Sequence, residues 1–551
     1  MRSAMRQDGG RQGKQPEQLT ESSSGDIDDA SVQYQAYHET TDANNSLCPD
    51  YALHCTTVRR FPSLNRSIDR TEQSSSTLAE KEQENGHNSK DLEETYSLHA
   101  PDAVGFFNPS LSQVRSAVFL KYSWTLALLC VFVLGVLSIY WGVLFRVREN
   151  LRSATIAVVD FDATSPPYET VEPIVGRFVQ AAIIHERASQ RYPLGYEFLD
   201  PITFRHDPVA VRLAVHEEKY WGAIIVNSNA TALLRLAVES GNVSYDPFGA
   251  GQIVVNQARD IESYNQYITP VLVRLASDIS FAFGREWTRS VLTNDTFAQS
   301  VYSNAPQALS PGIGFSIFNL RPFDPPTAIP AVSIGLIYLI IIAFFSFGFF
   351  VPMHMRFVQQ DPSNPHPPLK FTHLIIWRYI STIIAYFLLS FCYSLVSLAF
   401  QIPFSRRPPH GHSDWLQTDV ANNANHFGHA TFVVYWMLNW LGMSALGLAC
   451  ESVAMVVGQP WTALWLIFWV ITNVSTGFYA LELAPGFFKW GYAWPLRQVV
   501  YASRTLLFDT RDRLGLNFGV LAAWVGIGTV LFPICCWIMR WKGMKAKRNL
   551  G

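Results

Sequence analysis

Two kinds of hydrophobic pattern alternate along the chain. Six apolar runs carry almost no charge: Tyr122 to Phe145, Ala328 to Val351, Leu374 to Gln401, Ala430 to Val457, Trp461 to Leu483, and Leu516 to Met539. Each is roughly 20 to 28 residues long, enough for a helix rising 1.5 Å per residue to cross about 30 Å of hydrocarbon. The pattern therefore predicts a polytopic α-helical membrane protein with six spans. The first run begins more than about a hundred residues from Met1 and does not have the form of a cleavable signal peptide.

Between the first and second runs the period changes. "ATIAVVDFDA", "KYWGAIIVNSN" and "GQIVVNQARD" are short apolar stretches ending in Asp or Asn, the pattern of buried strands. "YETVEPIVGRFVQAAIIHERASQ", "PVAVRLAVHEEKYW" and "IESYNQYITPVLVRLASDISFAFGREWTRSVL" carry helical spacing instead. Strands alternating with helices predict an α/β domain over 149–327. The divisions that follow are a tail at 1–114, a first transmembrane helix at 115–148, that domain, a five-helix transmembrane region at 328–539, and a basic tail at 540–551. Stretches such as "TEQSSSTLAEKEQENGHNSKD" hold too little apolar surface to offset the entropy of ordering, so the first tail is predicted to be disordered.

Composition and charge then set sidedness and limit the chemistry. Hydrophobic residues make up 49% of the chain and charged residues only 16%, which is poor in charge for a soluble protein. Arg540, Lys542, Lys545, Lys547 and Arg548 follow the last run as a dense basic cluster expected to stay in the cytosol. An even number of spans puts the other terminus there too and the α/β domain outside. Arg146, Arg148 and Arg152 oppose this, but they open a long loop, and long loops translocate largely regardless of charge. Sequons at Asn229, Asn242 and Asn294 fall in that loop; others at Asn44, Asn65 and Asn473 do not, so sequons alone do not decide. The seven cysteines all avoid the domain, which must be held by its core alone. Cys535 and Cys536 suit packing or palmitoylation.

No phosphate-binding G-x-x-x-x-G-K-[ST] loop, G-x-S-x-G or H-E-x-x-H motif occurs, so neither an enzyme nor a built-in nucleotide engine is expected, and no cofactor. His410, His412, His426 and His429 stand as two pairs on a Pro-rich, Asn-rich loop that carries no fixed geometry, and no metal site is predicted. Polar residues inside the apolar runs are more informative. Ser444, Gly447 and Glu451 fall on one stripe of a helix. They suit either a carboxylate facing a translocation path or a helix-packing hydrogen bond near the cytosolic end. Asn439 and Asn473 suggest interhelical hydrogen bonds, and Arg378, opening the third span, a headgroup contact. The stretch "ELAPGFFKWGYAWPLRQVVYASRTLLFD" combines aromatics with a helix start at Pro495, after which Arg497, Arg504 and Arg511 recur every seven residues. It predicts an interfacial helix over about 495–509. Its basic stripe would meet headgroups, with Trp490 and Trp494 as anchors.

The order of features, with "IAVVDFD" opening the domain and the segments "FFKWGYAWP" and "LGLNFGVL" near the end, resembles the fungal nitrosoguanidine-resistance membrane protein family. That family is similar to ABC-2-type permeases and the bacterial phage-infection-protein family. The resemblance covers about residues 115 to 540 and implies an ABC-2-permease-like fold, a plasma-membrane address with an endomembrane as alternative, and a role in tolerance of toxic small molecules or in phospholipid asymmetry. The partners it implies are the lipid bilayer, a small amphiphilic or toxic molecule and a second copy of the chain as a homodimer, with no nucleic acid. It defines no catalytic residues. Two functions follow: a permease-like exporter or export component without its own ATPase, or a non-transporting organiser of lipid distribution or of other transporters.

Overall fold

A computed structural model of the chain describes residues 104–293, 304–358, 366–402, 404, 427–458 and 460–548. Residues 1–103 of the tail predicted to be disordered, Asn294, His410, His412 and His426 lie outside the described residues. The end of that predicted tail is instead helical, since the first helix runs Pro109–Val143 rather than 115–148, its start set by the Asn108 cap and Pro109.

The first long helix, α1 (Pro109–Val143), is bare along most of its length, exposing Trp124, Val131 and Leu134. Only its end packs: Val143 is buried with Leu481, Ala484 and Phe488.

The chain then builds a three-layer α/β module. Its elements are β1 (Thr155–Asp160), α2 (Val175–Ser189), β2 (Gly195–Leu199), α3 (Pro208–His216), β3 (Gly222–Val226), α4 (Ala230–Ser240), β4 (Gly251–Val255), α5 (Thr269–Leu292) and β5 (Phe315–Asn319). The strands run in the order β2-β1-β3-β4-β5, parallel except where β3 meets β4. Strand side chains alternate between faces. Ile156, Val158, Ile224 and Val255 pack under α2, α4 and α5, whereas Ala157, Val159, Ile225 and Val254 pack under α3. The three central strands are apolar on both faces, and they are the three that the sequence predicts. The edge strands β2 and β5 are half exposed, so their apolar signal is diluted.

The remaining helices are α6 (Ile337–Met355), α7 (Phe371–Ala399), α8 (Thr431–Val457), α9 (Thr462–Gly477), α10 (Pro495–Phe508) and α11 (Leu514–Arg548). α6 is preceded by a broken lead-in, Pro326–Leu336, that includes the short helix Ile329–Val332. Among the described residues five helices are long and apolar enough to cross a membrane, α1, α6 with its lead-in, α7, α8 and α11. The chain is a polytopic helical membrane protein. The expected span Trp461 to Leu483 is shorter than predicted, 16 helical residues or about 24 Å. Thr472, Ser475 and Thr476 turn their hydroxyls back onto carbonyls one turn earlier, which weakens the helix where it ends. The apolar residues beyond, Ala480 and Leu483, cover the core of the α/β module rather than extending the helix.

α8 is the axis of the bundle. It is buried over two-thirds of its most apolar stretch, 67%, and packs against α6, α7, α10 and α11. Its small residues set the approach of its neighbours: a Cβ at Gly447 would lie 2.5 Å from the Tyr386 hydroxyl of α7, and one at Gly442 would lie 2.6 Å from Val499 of α10. Gly447→Val should therefore lower stability by about 1–3 kcal/mol through overpacking. The measurement is the thermal midpoint in detergent, and Tyr386→Ala in the same chain should recover part of the loss. A variant as stable as the parent would mean that α7 can withdraw freely.

Candidate functional site

Functional interest centres on α10 and the groups around it. Trp494 precedes the helix in extended backbone, and Pro495 starts it with its fixed φ. The N-terminus is capped from another element: Asn473 Oδ1 of α9 accepts the Leu496 N–H at 3.2 Å, while Asn473 Nδ2 donates to Trp469 O at 2.8 Å. Asn473 thus makes the interhelical hydrogen bond that its place in an apolar run suggests. At the other end Asp509 adopts a left-handed conformation, φ 54°, and turns the chain toward α11.

Every residue of α10 except Tyr501 is buried. The predicted basic stripe faces protein, not headgroups. Arg497 Nη1 donates to Thr476 O at 3.3 Å, and its guanidinium lies 4.2 Å from the centroid of Tyr501. Arg504 Nη1 donates to Arg259 O at 2.6 Å and meets Asp260 Oδ2 at 3.4 Å, in the α/β module. Arg511 is half-exposed and contributes its carbonyl to the Thr505 hydroxyl, 3.0 Å. The physical reason for the inward turn is charge: Asp260 is itself buried, and Arg504 balances it. Trp490 packs beside Phe488, and Trp494 contacts Trp469, Trp490 and Trp524 while its Nε1 donates to Thr472 Oγ1 at 3.2 Å. These tryptophans tie the segment to α9 and α11.

Two more ion pairs complete a clasp between the module and the loop after α10. Arg321 Nη2 meets Asp509 Oδ2 at 2.7 Å, and Arg513 meets Glu218 at 3.7 Å. His216 Nε2–H donates to Asp509 O at 2.7 Å. Burial, and then the nearby Arg321 charge, hold the His216 pKa below the usual histidine range. Sequence reasoning missed Asp260, Arg321 and Asp509; the Asp that closes "NQARD" just after β4 is the local signal that could have drawn attention to Asp260.

Inside the bundle, Arg378 Nη2 of α7 and Glu451 Oε1 of α8 are 2.8 Å apart, both side chains nearly inaccessible at 2% and 3%. Thr382 Oγ1 lies 3.4 Å from Glu451 Oε2. Arg378 thus turns inward rather than to headgroups, because an unpaired carboxylate in hydrocarbon is costly. Ser444 and Gly447 lie on the same buried side of α8, and Asn439 Nδ2 donates to Ser394 Oγ of α7 at 2.9 Å. Cys535 and Cys536 are buried beside Leu448, Met455 and Phe532.

The module has its own acidic corner where β1 ends. Asp162 accepts from Gly176 N, Thr231 N and Thr231 Oγ1, at 3.1, 3.0 and 2.5 Å. Thr231 is the hydroxyl residue of the Asn229 sequon and is fully buried; Asn242 is exposed, its Oδ1 accepting from Ser244 N at 3.0 Å. Asp160 takes the Asp162 N–H and Gln180 Nε2, and burial raises its pKa to about 6. Among the described residues no group of three or more His, Cys, Asp or Glu side chains is placed to hold a metal.

A groove of about 500 Å³ opens on the outside of the bundle. Pro330, Gly335, Tyr338 and Ile342 of the α6 region face Tyr393 and Val396 of α7 and Phe400 just after it, with Thr327 and Ser397 also in its lining. Its wall is almost wholly apolar.

These features define a membrane protein in which an α/β module is clasped to a helical bundle. Residues 125–530 match the family described as "Protein of unknown function (DUF3533)", and the chain belongs to that family. It is similar to "Uncharacterized endoplasmic reticulum membrane protein YJR015W" of Saccharomyces cerevisiae, with 25% identity over 451 residues, 79% of this chain and 82% of the relative. No solved structure matches.

Arg504→Met should cost about 3–5 kcal/mol by leaving Asp260 buried and unpaired. Adding Asp260→Asn should restore much of it, since Asn still offers Oδ1 to the Ser263 N–H that Asp260 now caps. Denaturant midpoints and trypsin sensitivity of the module give the readout; a double variant no better than the single would refute the clasp. Asp160 predicts a pH effect of opposite sign to an ordinary carboxylate. Its folded pKa is raised, so its favourable contribution is complete below the unfolded value near 4 and is lost as pH rises through about 6. Asp160→Asn should accordingly stabilise the protein at pH 7 and leave it nearly unchanged at about pH 3, below the unfolded value, as read by thermal midpoints at the two pH values.

Proposed function

We propose that this protein is a permease-like component, without catalytic activity or an ATPase of its own, that helps small amphiphilic or toxic molecules leave the membrane. In this reading it stands in the plasma membrane or an endomembrane. α9 counts as a sixth span, the module lies outside and both termini lie in the cytosol. The carrying observation is the apolar groove between α6 and α7, open sideways where a bilayer surrounds the bundle. An amphiphile would enter it laterally with its polar end at Thr327 and Ser397. The groove also has a mechanical link to the module. Ala331 and Val332, in the lead-in beside it, share a core with Leu496 and Val499 of α10, and α10 carries Arg504. Glu451 and Arg497 are not assigned to the path, since each is engaged within the protein.

The mutual neutralisation of Arg378 and Glu451 favours a second reading, a non-transporting organiser of phospholipid asymmetry or of other transporters. Such a protein would bind a lipid chain in the same groove without moving it. Val396→Trp separates the two, because Val396 is exposed at the groove and a larger side chain fills it without entering the core. Efflux of a fluorescent amphiphile from cells should fall to the level of cells lacking the protein. Unchanged efflux in cells with and without the protein, together with altered surface exposure of phosphatidylserine, would refute the permease reading and leave the organiser.

A further inference from the structure

α7 places a polar side chain at almost every fourth position of its buried face: Arg378, Thr382, Tyr386, Ser390, Ser394 and Ser397. At 1.5 Å per residue the column is about 28 Å long, close to the roughly 30 Å thickness of the hydrocarbon layer. α8 answers it step by step. Tyr435 Oη lies 3.3 Å from Ser397 Oγ, and Asn439 Nδ2 donates to Ser394 Oγ, which donates to Ser390 O at 2.8 Å. Gly447 makes room for the Tyr386 hydroxyl, which donates to Ala343 O of α6 at 3.5 Å. Ser390 Oγ donates to Phe387 O within α7 at 3.0 Å, and Glu451 receives Arg378 and Thr382. Beyond Glu451 the column continues to α6: Ser381 Oγ donates to Arg378 O at 2.9 Å and lies 3.4 Å from His354 Nε2.

Helix packing alone accounts for small residues along such a contact, Ser and Thr among them. It does not ask for a carboxylate within the crossing, which is costly in hydrocarbon. Two atoms on the column, Asn439 Oδ1 and Ser444 Oγ, are deeply buried without a protein partner. Polar atoms in that position call for water or a moving proton.

We propose that the α7/α8 seam conducts protons, with Glu451 as the titrating carrier, and that a proton gradient is the energy source of the protein. What the gradient drives rests on the permease-like reading above. A proton reaching Glu451 adds to a carboxylate oxygen; the carboxyl becomes neutral and the net charge of the pair rises from zero to plus one. Arg378 is then held by the Phe532 ring, 5.6 Å away, and by Cys536 Sγ at 3.9 Å. Loss of the same proton toward the other side restores the ion pair, and nothing else is consumed. The groups facing this exchange are Arg378 and Tyr386 on α7, Cys450 on α8, Cys536 on α11, and His354 on α6 beyond Arg378.

The test uses the full chain in phosphatidylcholine vesicles with a trapped pH-sensitive dye and a potassium diffusion potential set by valinomycin. Wild-type vesicles should acidify faster than protein-free ones, and faster still with a cationic fluorescent amphiphile present. Glu451→Gln should return the rate to that of protein-free vesicles. Since this change leaves Arg378 unpaired, Tyr386→Phe is the second variant: it keeps the ring and removes one hydroxyl of the column, and it should slow acidification. Absence of wild-type proton flux, or wild-type flux in a correctly eluting Glu451→Gln protein, overturns the inference. Amphiphile movement that persists when the pH gradient is collapsed also overturns it and leaves the permease reading standing. Glu451-dependent proton flux without amphiphile movement supports the seam and removes the permease reading instead.

Discussion

The architecture depends on the contact between Arg504 and Asp260. An arginine and an aspartate, each almost fully out of solvent, are held 3.4 Å apart between a helix of the bundle and the start of the helical segment that leads into α5. Burying two charges is expensive, and the attraction between them offsets this only when the remaining donors and acceptors are also satisfied. Here they largely are: Asp260 Oδ1 caps the Ser263 N–H, and Arg504 gives a second bond to the Arg259 carbonyl. Arg259 is itself fixed, its guanidinium 3.7 Å from the centroid of Trp221 and its Nη1 on the Tyr220 carbonyl. One contact therefore connects α10 to the start of β3 and to the segment leaving β4. Displacing α10 would expose an unpaired charge on each side, which makes the docked arrangement specific as well as stable.

The bundle obeys the same rule in a different solvent. Hydrocarbon offers no hydrogen bonds, so most polar side chains within the spans find a partner in the protein, atoms such as Asn439 Oδ1 and Ser444 Oγ being the exceptions. α7 meets that condition by turning its hydroxyls and Arg378 toward α8, leaving Ile376, Ile380, Ile384 and Leu388 on the outside. α8 can accept this close approach because it carries Gly442 and Gly447, against which Val499 of α10 and Tyr386 of α7 pack directly. Small residues and polar residues on one helix thus serve one purpose.

Much of this is legible in the sequence. The long apolar runs reveal α1, α6, α7, α8 and α11, since a stretch of that length without charge suits hydrocarbon and little else. The central strands β1, β3 and β4 are legible because both of their faces are buried. The edge strands are not, and neither is the end of α9, where apolar Ala480 and Leu483 belong to a different core from the helix before them. The seven-residue recurrence of Arg497 and Arg504 marks the helix but not its environment. An amphipathic pattern reports that two faces differ, not what covers the polar one. Beside apolar spans a basic stripe suggests headgroups; the actual partner, Asp260, lies 244 residues earlier and nothing local points to it. Arg378 and Glu451 are 73 residues apart, and for the same reason neither position signals that the two form a pair.

α8 and α10 bring the three parts of the molecule into mechanical reach of each other. Val499 of α10 sits against Gly442, three positions from Asn439 on the polar seam of α8. On another side α10 shares its core with Ala331 and Val332, beside the groove, and through Arg504 it meets the module. A close-packed interior transmits displacement because it has no free volume to absorb it. A ligand that shifted the lead-in of α6 would bear on α10, and a shift of α10 would alter its buried contacts with Gly442, with Asp260 and with α9 and α11. In the permease-like reading proposed above, α10 is thus the element through which groove and seam would be linked to the module.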